Sequence, residues 1–298
     1  MANILEYLQF VLAPQMVTGL ALGVAVVLVA LGLTIIFGLL DVINMSHGEF
    51  YAVGAYLALA LGAAGLDFWF LLVLVPLLML PLGYVIERGL IQRVFNTGGD
   101  RHVTTLLLTF GLAMVIEELI HMIFGVETFR PETPIPGAVE VFGMFLPNYR
   151  LFLIVFGLAI VGAVALVVYR TRWGAMVRAA AFDRDMAGSL GVPVTRVYAF
   201  TFAFGVALAG LAGVLLAPIY SIFPTMGRDF VFLAFTVVIV GGMGSIWGAV
   251  AAGLLLTQVQ AISSLFISPV WSDPIVFGIM VLVLVLRPQG LFGRLGHA

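Results

Sequence analysis

The residues best equipped for chemistry are few, and apolar sequence surrounds them. Asp41, Asn44, Ser46, His47 and Glu49 interrupt one long apolar stretch spanning 15–65. An ionisable group inside a bilayer costs about 2.5–3.5 kcal/mol on insertion scales, so such groups are usually kept for a pathway or a pair. An ordinary turn with His47 and Glu49 solvated is the other reading, and the residues alone leave both open. A second interruption, Val238 to Gly253, breaks another apolar run with glycines: Gly241, Gly242 and Gly244, then Ser245. Unwound backbone offers free N–H and C=O groups, and paired broken helices are a pointer to a binding site within a membrane. The two breaks do not occupy equivalent positions of a direct repeat.

Glu117, Glu118 and His121 form the third cluster. Glu118 and His121 match one arm of a di-iron carboxylate site, but no second Glu-x-x-His arm exists. A polar contact between helices, or one lining a pore, suits them better than a metal. With no cysteine, thiolate chemistry and disulfides are excluded. There is no His-Glu-x-x-His zinc motif, no phosphate-binding P-loop and no Gly-x-Ser-x-Gly elbow. Residues Gly242 to Ile246 read Gly-Met-Gly-Ser-Ile, not the Gly-x-Ser-Gly turn of a rhomboid-type protease. No catalytic residue is therefore assigned, and no cofactor is expected in this chain. If transport is active, ATP and its Mg must be handled by another polypeptide.

The elements that hold these clusters are membrane helices. The 298 residues are 63% hydrophobic and only 9% charged, with a mean hydropathy of +1.20. Soluble domains are about 45–50% apolar. Charge-free runs cover 7–40, 50–66, 68–86, 151–169, 197–227, 230–272 and 274–286. One helical crossing needs about 20 apolar residues, so 230–272 holds two. The reading is an all-α polytopic membrane protein of eight or nine spans, with helices broken near 41–49 and 241–246. Those spans fall near 15–38, 50–65, 68–87, 104–125, 151–169, 197–217, 229–243, 247–266 and 274–286. A barrel is excluded, because its strands would alternate over about 10 residues. One transmembrane domain, 1–298, accounts for the chain. The N-terminus has only Glu6 before the apolar run and no basic region, so no cleavable signal peptide is evident. A net charge of −2 leaves no footprint for nucleic acid.

Arginine placement sets the topology. All thirteen basic residues are arginine, and five of them lie in the polar segment 170–196 against only Asp183 and Asp185. Such a loop is held on the cytoplasmic side. Arg88, Arg93 and Arg101, with Arg287 and Arg294 in the tail, join it there; 126–150 and the turn at Arg228–Asp229 fall outside. Strict alternation then puts 41–49 inside and the N-terminus outside. At 27 residues, 170–196 exceeds the roughly 2–8 of a simple helix connection. It reads as a short surface helix plus a turn, a shape suited to docking a soluble partner. Arg172, Trp173, Arg178, Asp183, Asp185 and Gly191 are its candidate contacts. Small residues at four-residue spacing, Gly205, Ala209 and Gly213, then Gly244, Gly248 and Ala252, allow close helix packing.

Three segments together resemble the permease subunits of branched-chain amino-acid ABC importers of the LivH type, over nearly the whole length. They are Gly32 to Ala58, containing His47-Gly48-Glu49 and Gly54-Ala55-Tyr56; Arg172 to Val197; and Val237 to Leu256 with the ending Val285 to Gly293. Asp183-Arg184-Asp185 departs from the Glu-Asp or Glu-Asn pair of that pattern. The resemblance implies a heteromeric importer in the bacterial inner membrane. Its parts would be this permease, a second LivM-like permease, two ABC ATPase subunits and a periplasmic substrate-binding protein. It implies that 170–196 docks the ATPase. It also implies that Asn44, Ser46, His47 and Glu49, with Gly241, Gly242, Gly244 and Ser245, border the path of the solute. The same architecture could carry urea, short amides or aromatic acids. An ion-coupled carrier or a lipid enzyme built on Glu117, Glu118 and His121 stands as the rival of another class.

Overall fold

The computed structural model describes residues 8–95, 100–141 and 143–293. Glu6 and Arg294 lie outside them. The first long helix, α1, spans Ala13–Leu40. After a break come α2 (His47–Ala63) and α3 (Phe68–Ile86), which runs unbroken through Pro76 and Pro81. It continues as a π-helical turn, Glu87–Ile91, and a last helical turn, Gln92–Phe95. Next is α4 (Arg101–Phe124), capped by the Asp100 carboxylate on two backbone N–H groups. A two-stranded hairpin, β1 (Ala138–Val141) and β2 (Met144–Pro147), pairs Val139 with Leu146 and leads into α5 (Asn148–Arg170). Two short helices follow, α6 (Arg172–Phe182) and α7 (Arg184–Ser189). The chain ends with α8 (Val194–Leu216), α9 (Met226–Gly241), α10 (Ile246–Ser263) and α11 (Ser272–Leu286).

The nine expected spans correspond one to one with α1–α5 and α8–α11. Six of the helices are long and apolar enough to cross a membrane. The other three, α2, α9 and α11, have 17, 16 and 15 residues, short of the roughly 20 that a perpendicular crossing takes. Two of these short helices flank the breaks, so the missing length lies in unwound backbone.

The core is α1 and α8, whose apolar windows are 83% and 89% buried; α4, at 11%, stands at the edge. Glycines let the central backbones meet. A side chain at Gly54 would overlap the Gly210 backbone, and Gly205 lies against Ile36. With Ala209 and Gly213, Gly205 forms a buried strip along α8. The helix ends sort by charge as the alternation requires. At one end His102 Nε2 lies 3.6 Å from Asp41, Gly38 abuts Gly244, and Arg178 shares a cavity with both glycines and Phe292. At the other end Gln15 donates to Ala261 and Ser264, and Phe129 pairs with Ile222.

Candidate functional site

The first break turns inward. Leu40 closes α1, and Asp41 takes φ 52°, the one positive-φ non-glycine among the described residues. Residues 41–44 have no regular secondary structure, and α2 begins only at His47. Thr109 of α4 pins the unwound backbone: its hydroxyl donates to the Ile43 carbonyl at 3.1 Å and accepts from the Met45 N–H at 3.2 Å. His47 Nε2 reaches the Val29 carbonyl at 3.0 Å. Val29 precedes the end of α1 by eleven residues, about 16 Å at 1.5 Å per residue. The N-terminus of α2 therefore opens halfway through the bundle.

The polar residues of this segment face protein. Asn44, Ser46 and His47 are fully buried, and Glu49 nearly so. Asn44 Oδ1 accepts from Ser46 N–H at 3.2 Å and from its hydroxyl at 2.7 Å. The Glu49 carboxyl lies against Gly227 at the start of α9, where an added Cβ would stand 2.5 Å from Oε2. Among the described residues, Asn44 Nδ2, His47 Nδ1, Glu49 Oε2 and Tyr51 Oη are buried with no hydrogen-bond partner. Each such group forfeits about 1–3 kcal/mol, an arrangement that packing alone does not favour. A carboxyl beside the first N–H groups of α9 is, in turn, favourably placed in the helix dipole.

The second break lies elsewhere. Gly242 and Gly244 take φ of +100° and +79°, and the Ser245 hydroxyl accepts from Gly248 N–H at 3.1 Å, capping α10. The chain end closes over it: Leu291 and Phe292 N–H groups donate to the Val240 and Gly241 carbonyls at 2.8 and 3.0 Å. Gly241, Gly242, Gly244 and Ser245 thus stand at the arginine-rich end, while Asn44, Ser46, His47 and Glu49 are deep in the bundle. What joins the breaks is a cavity of about 560 Å³. Its walls include Ile43 and Met45 from the first break, Met243 from the second, and Phe232, Phe277 and Met280. The hydrophobic neighbours of the expected polar residues line it.

The 170–196 segment is two helices where one was expected. Thr171 caps α6 through Gly174 N–H at 3.1 Å. Asp183 ends α6 and caps α7, accepting from Asp185 and Met186 N–H groups at 3.0 and 2.9 Å. Gly191 takes φ +87° in the turn that follows. Trp173 packs edge-on to Phe204 with centroids 5.7 Å apart. Arg178 turns back to the Val168 carbonyl and the Tyr169 ring. Arg172 and Asp185 remain exposed. The outermost groups are apolar: Phe182 is 85% exposed, Met186 60% and Leu190 79%. Sequence reasoning passed over these three, although their i, i+4, i+8 spacing on a polar segment was the available signal. Below them a cavity of about 600 Å³ runs from Arg178 and Phe182 to Gly244, Ser245 and Trp247.

Glu117 is engaged in an ion pair. Arg228 Nη2 stands 2.7 Å from both of its carboxylate oxygens, tying α4 to the start of α9. Among the described residues no group of three or more His, Asp or Glu is placed to hold a metal.

The family model for the permease component of the branched-chain amino acid transport system matches residues 15–285. The chain is 31% identical to the high-affinity branched-chain amino acid transport system permease protein BraD of Pseudomonas aeruginosa, covering 99% of this chain and 98% of that one. It is 31% identical to the LivH permease protein of Salmonella typhimurium over 94% and 95% of the two chains. Against the LivM permease protein of the same organism the identity is 28%, over 89% of this chain and 67% of the relative. No solved structure matches. With the match spanning every helix from α1 to α11, the chain belongs to the branched-chain amino acid transport permease family.

Proposed function

We propose that this chain is one of two permease subunits of an ATP-driven importer in the bacterial inner membrane, carrying branched-chain or related small amino acids. The single observation behind the reading is the α6–α7 unit. It exposes Phe182, Met186 and Leu190, packs through α6 on α1, α5 and α8, and encloses a cavity with the second break. A soluble subunit gripping those side chains has a short mechanical route inward: α6 to α8 through Trp173 and Phe204, and to α1 beside it. In this scheme two ABC ATPase subunits hold ATP and Mg, and a periplasmic binding protein delivers solute to the opposite end. Arg172 and Asp185 add polar contacts to the grip, while Trp173, Arg178, Asp183 and Gly191 hold its shape. Asn44, Ser46, His47 and Glu49 set the depth and polarity of the inner segment that borders the path.

Relatives named as branched-chain amino acid permeases support the cargo. An apolar chamber walled by Met45, Phe232, Phe277 and Met280 suits an aliphatic side chain. Urea and short amides would gain little from such walls.

The test is Leu190→Asp in the assembled transporter, reconstituted with its ATPase and binding protein. The expected result is retained ATPase binding at high protein concentration but uptake reduced by about tenfold or more, as for loss of an interface anchor worth ≥ 1.4 kcal/mol. Full uptake by that variant, or by Phe182→Asp beside it, would remove the docking role. Competition of labelled leucine uptake by unlabelled leucine, phenylalanine and urea then ranks the cargo.

A further inference from the structure

Two sides of the bundle meet their surroundings differently. On the α3–α5 side the exposed residues, Val73, Leu77, Val155 and Leu166 among them, lie in runs with no charge between Asp67 and Glu87 or between Arg150 and Arg170. Such an uninterrupted apolar surface suits acyl chains. The α4–α9–α11 side also exposes large apolar groups, such as Met114, Phe232 and Val281. Here, however, Glu117, Arg228, Asp229 and Asp273 interrupt them.

Glu117 precedes the end of α4 by seven residues, placing it about 10 Å inside that end. Its partner Arg228 has 58% of its side chain exposed. Acyl chains are a poor neighbour for an ion pair open on one side, since charged groups at depth normally face protein or a water-filled cavity. A groove follows the same side from end to end. An outer cavity of about 250 Å³ holds Asp229, Gln260 and Asp273. It shares the Phe232 and Phe277 walls with the inner cavity, which reaches Asp41 and His102 at the arginine-rich end. Gln260 donates to Asp273 at 2.9 Å, which fixes one side of the mouth.

We propose that the α4–α9–α11 side is the seat of a second, non-identical permease subunit, and that this groove is the chain's half of the passage between them. The inference rests on the importer reading above and adds to it which face is covered and by what. Charge selects the occupant. The face carries the carboxylates of Glu117, Asp229 and Asp273 against the single guanidinium of Arg228. Two copies related by a two-fold axis would set the same patch against itself and bring like charges together. A partner with the same fold and a more basic patch at this height complements it.

The absence of cysteine makes the test direct. Phe232→Cys and Val281→Cys probe this side, and Val73→Cys and Val155→Cys the other. Each is labelled with a benzophenone maleimide and irradiated in membranes holding the complete transporter, and the adducts are identified by mass spectrometry. The proposal expects adducts to a different permease chain from positions 232 and 281, and none from 73 and 155. Adducts to a second copy of this chain at 232 or 281, lipid adducts alone from all four, or permease adducts from 73 or 155 would overturn it. Using two positions per face guards against one label disturbing assembly. If affinity purification of the unmodified chain brings down no second permease at all, the importer reading itself has failed, which is a separate result.

Discussion

The two breaks begin as the same sequence signal, a long apolar run interrupted by a few non-apolar residues, and end as different devices. The 41–46 break is built from polar side chains and lies inside the bundle, with α2 starting at the depth of Val29. The 242–245 break is built from glycines and lies at the arginine-rich end, closed by Leu291 and Phe292 and facing α6 across a cavity. The composition of each follows from its place. Backbone unwound in the interior must find partners away from water; Thr109 supplies two and Asn44 serves Ser46. Backbone unwound at the end needs room and positive φ, which glycine supplies.

The largest expected effect is at the inner break. At Gly48 a side chain would overlap the Gly227 carbonyl and press on Val231, so α2 and the start of α9 must separate. Gly48→Val is expected to cost about 3 kcal/mol or more, as overpacking against backbone rather than a flexible side chain. Size-exclusion profiles and thermal unfolding in detergent read the loss. A variant as stable as the parent would mean that the meeting of α2 and α9 is not what fixes the inner break.

Next is the clamp on that break. Thr109→Val keeps the shape of the side chain and removes both hydrogen bonds, orphaning the Ile43 carbonyl and the Met45 N–H. The expected cost is about 1–3 kcal/mol. Hydrogen exchange should accelerate at 43–46 and stay unchanged at 242–245. Equal acceleration at both breaks would show them to be one mechanical unit.

At the outer break, Gly242→Ala forces φ near +100° on a residue with a side chain, and it crowds Gly293. Backbone strain of this kind costs about 1–3 kcal/mol. The strain is expected to release the chain end without unfolding the bundle. Limited proteolysis after Arg287 should rise while the unfolding midpoint of the rest moves little. Unchanged proteolysis would mean that the tail is held by something other than this seat.

Much of this fold was legible in the sequence. Charge-free runs marked eight of the nine long helices, all but α4 with its Glu117 and Glu118, and arginine placement sorted their ends, because both follow from what a bilayer excludes. The depth of the first break was not legible. His47 and Glu49 read equally well as a solvated turn, and only the packing of α2 against α1 and α9 buries them. The pairing of Glu117 with Arg228 joins residues 111 apart in sequence, and no local pattern announces it. Four of the six expected coupling residues, Arg172, Arg178, Asp183 and Asp185, are charged. The folded segment uses Asp183 as a cap and turns Arg178 back, leaving Phe182, Met186 and Leu190 outermost. Apolar residues are easily overlooked in a chain that is 63% apolar, unless their surroundings are weighed first.

The smallest expected effect separates a structural role from a pathway role at the outer break. Ser245 caps α10 through Gly248 N–H and also lines the cavity beneath α6. Removing the cap in Ser245→Ala should cost about 1 kcal/mol. Ser245→Asp keeps a capping oxygen and adds a charge facing that cavity. If Ser245 only ends the break, Asp restores both stability and uptake. If its hydroxyl also meets the solute or transmits the push from α6, Asp restores the unfolding midpoint while uptake stays low. The contrast between the breaks favours the first outcome. A glycine-rich hinge closed over by the chain's own end offers a solute little free backbone, whereas the unwound segment at 41–46 borders the chamber directly through Ile43 and Met45.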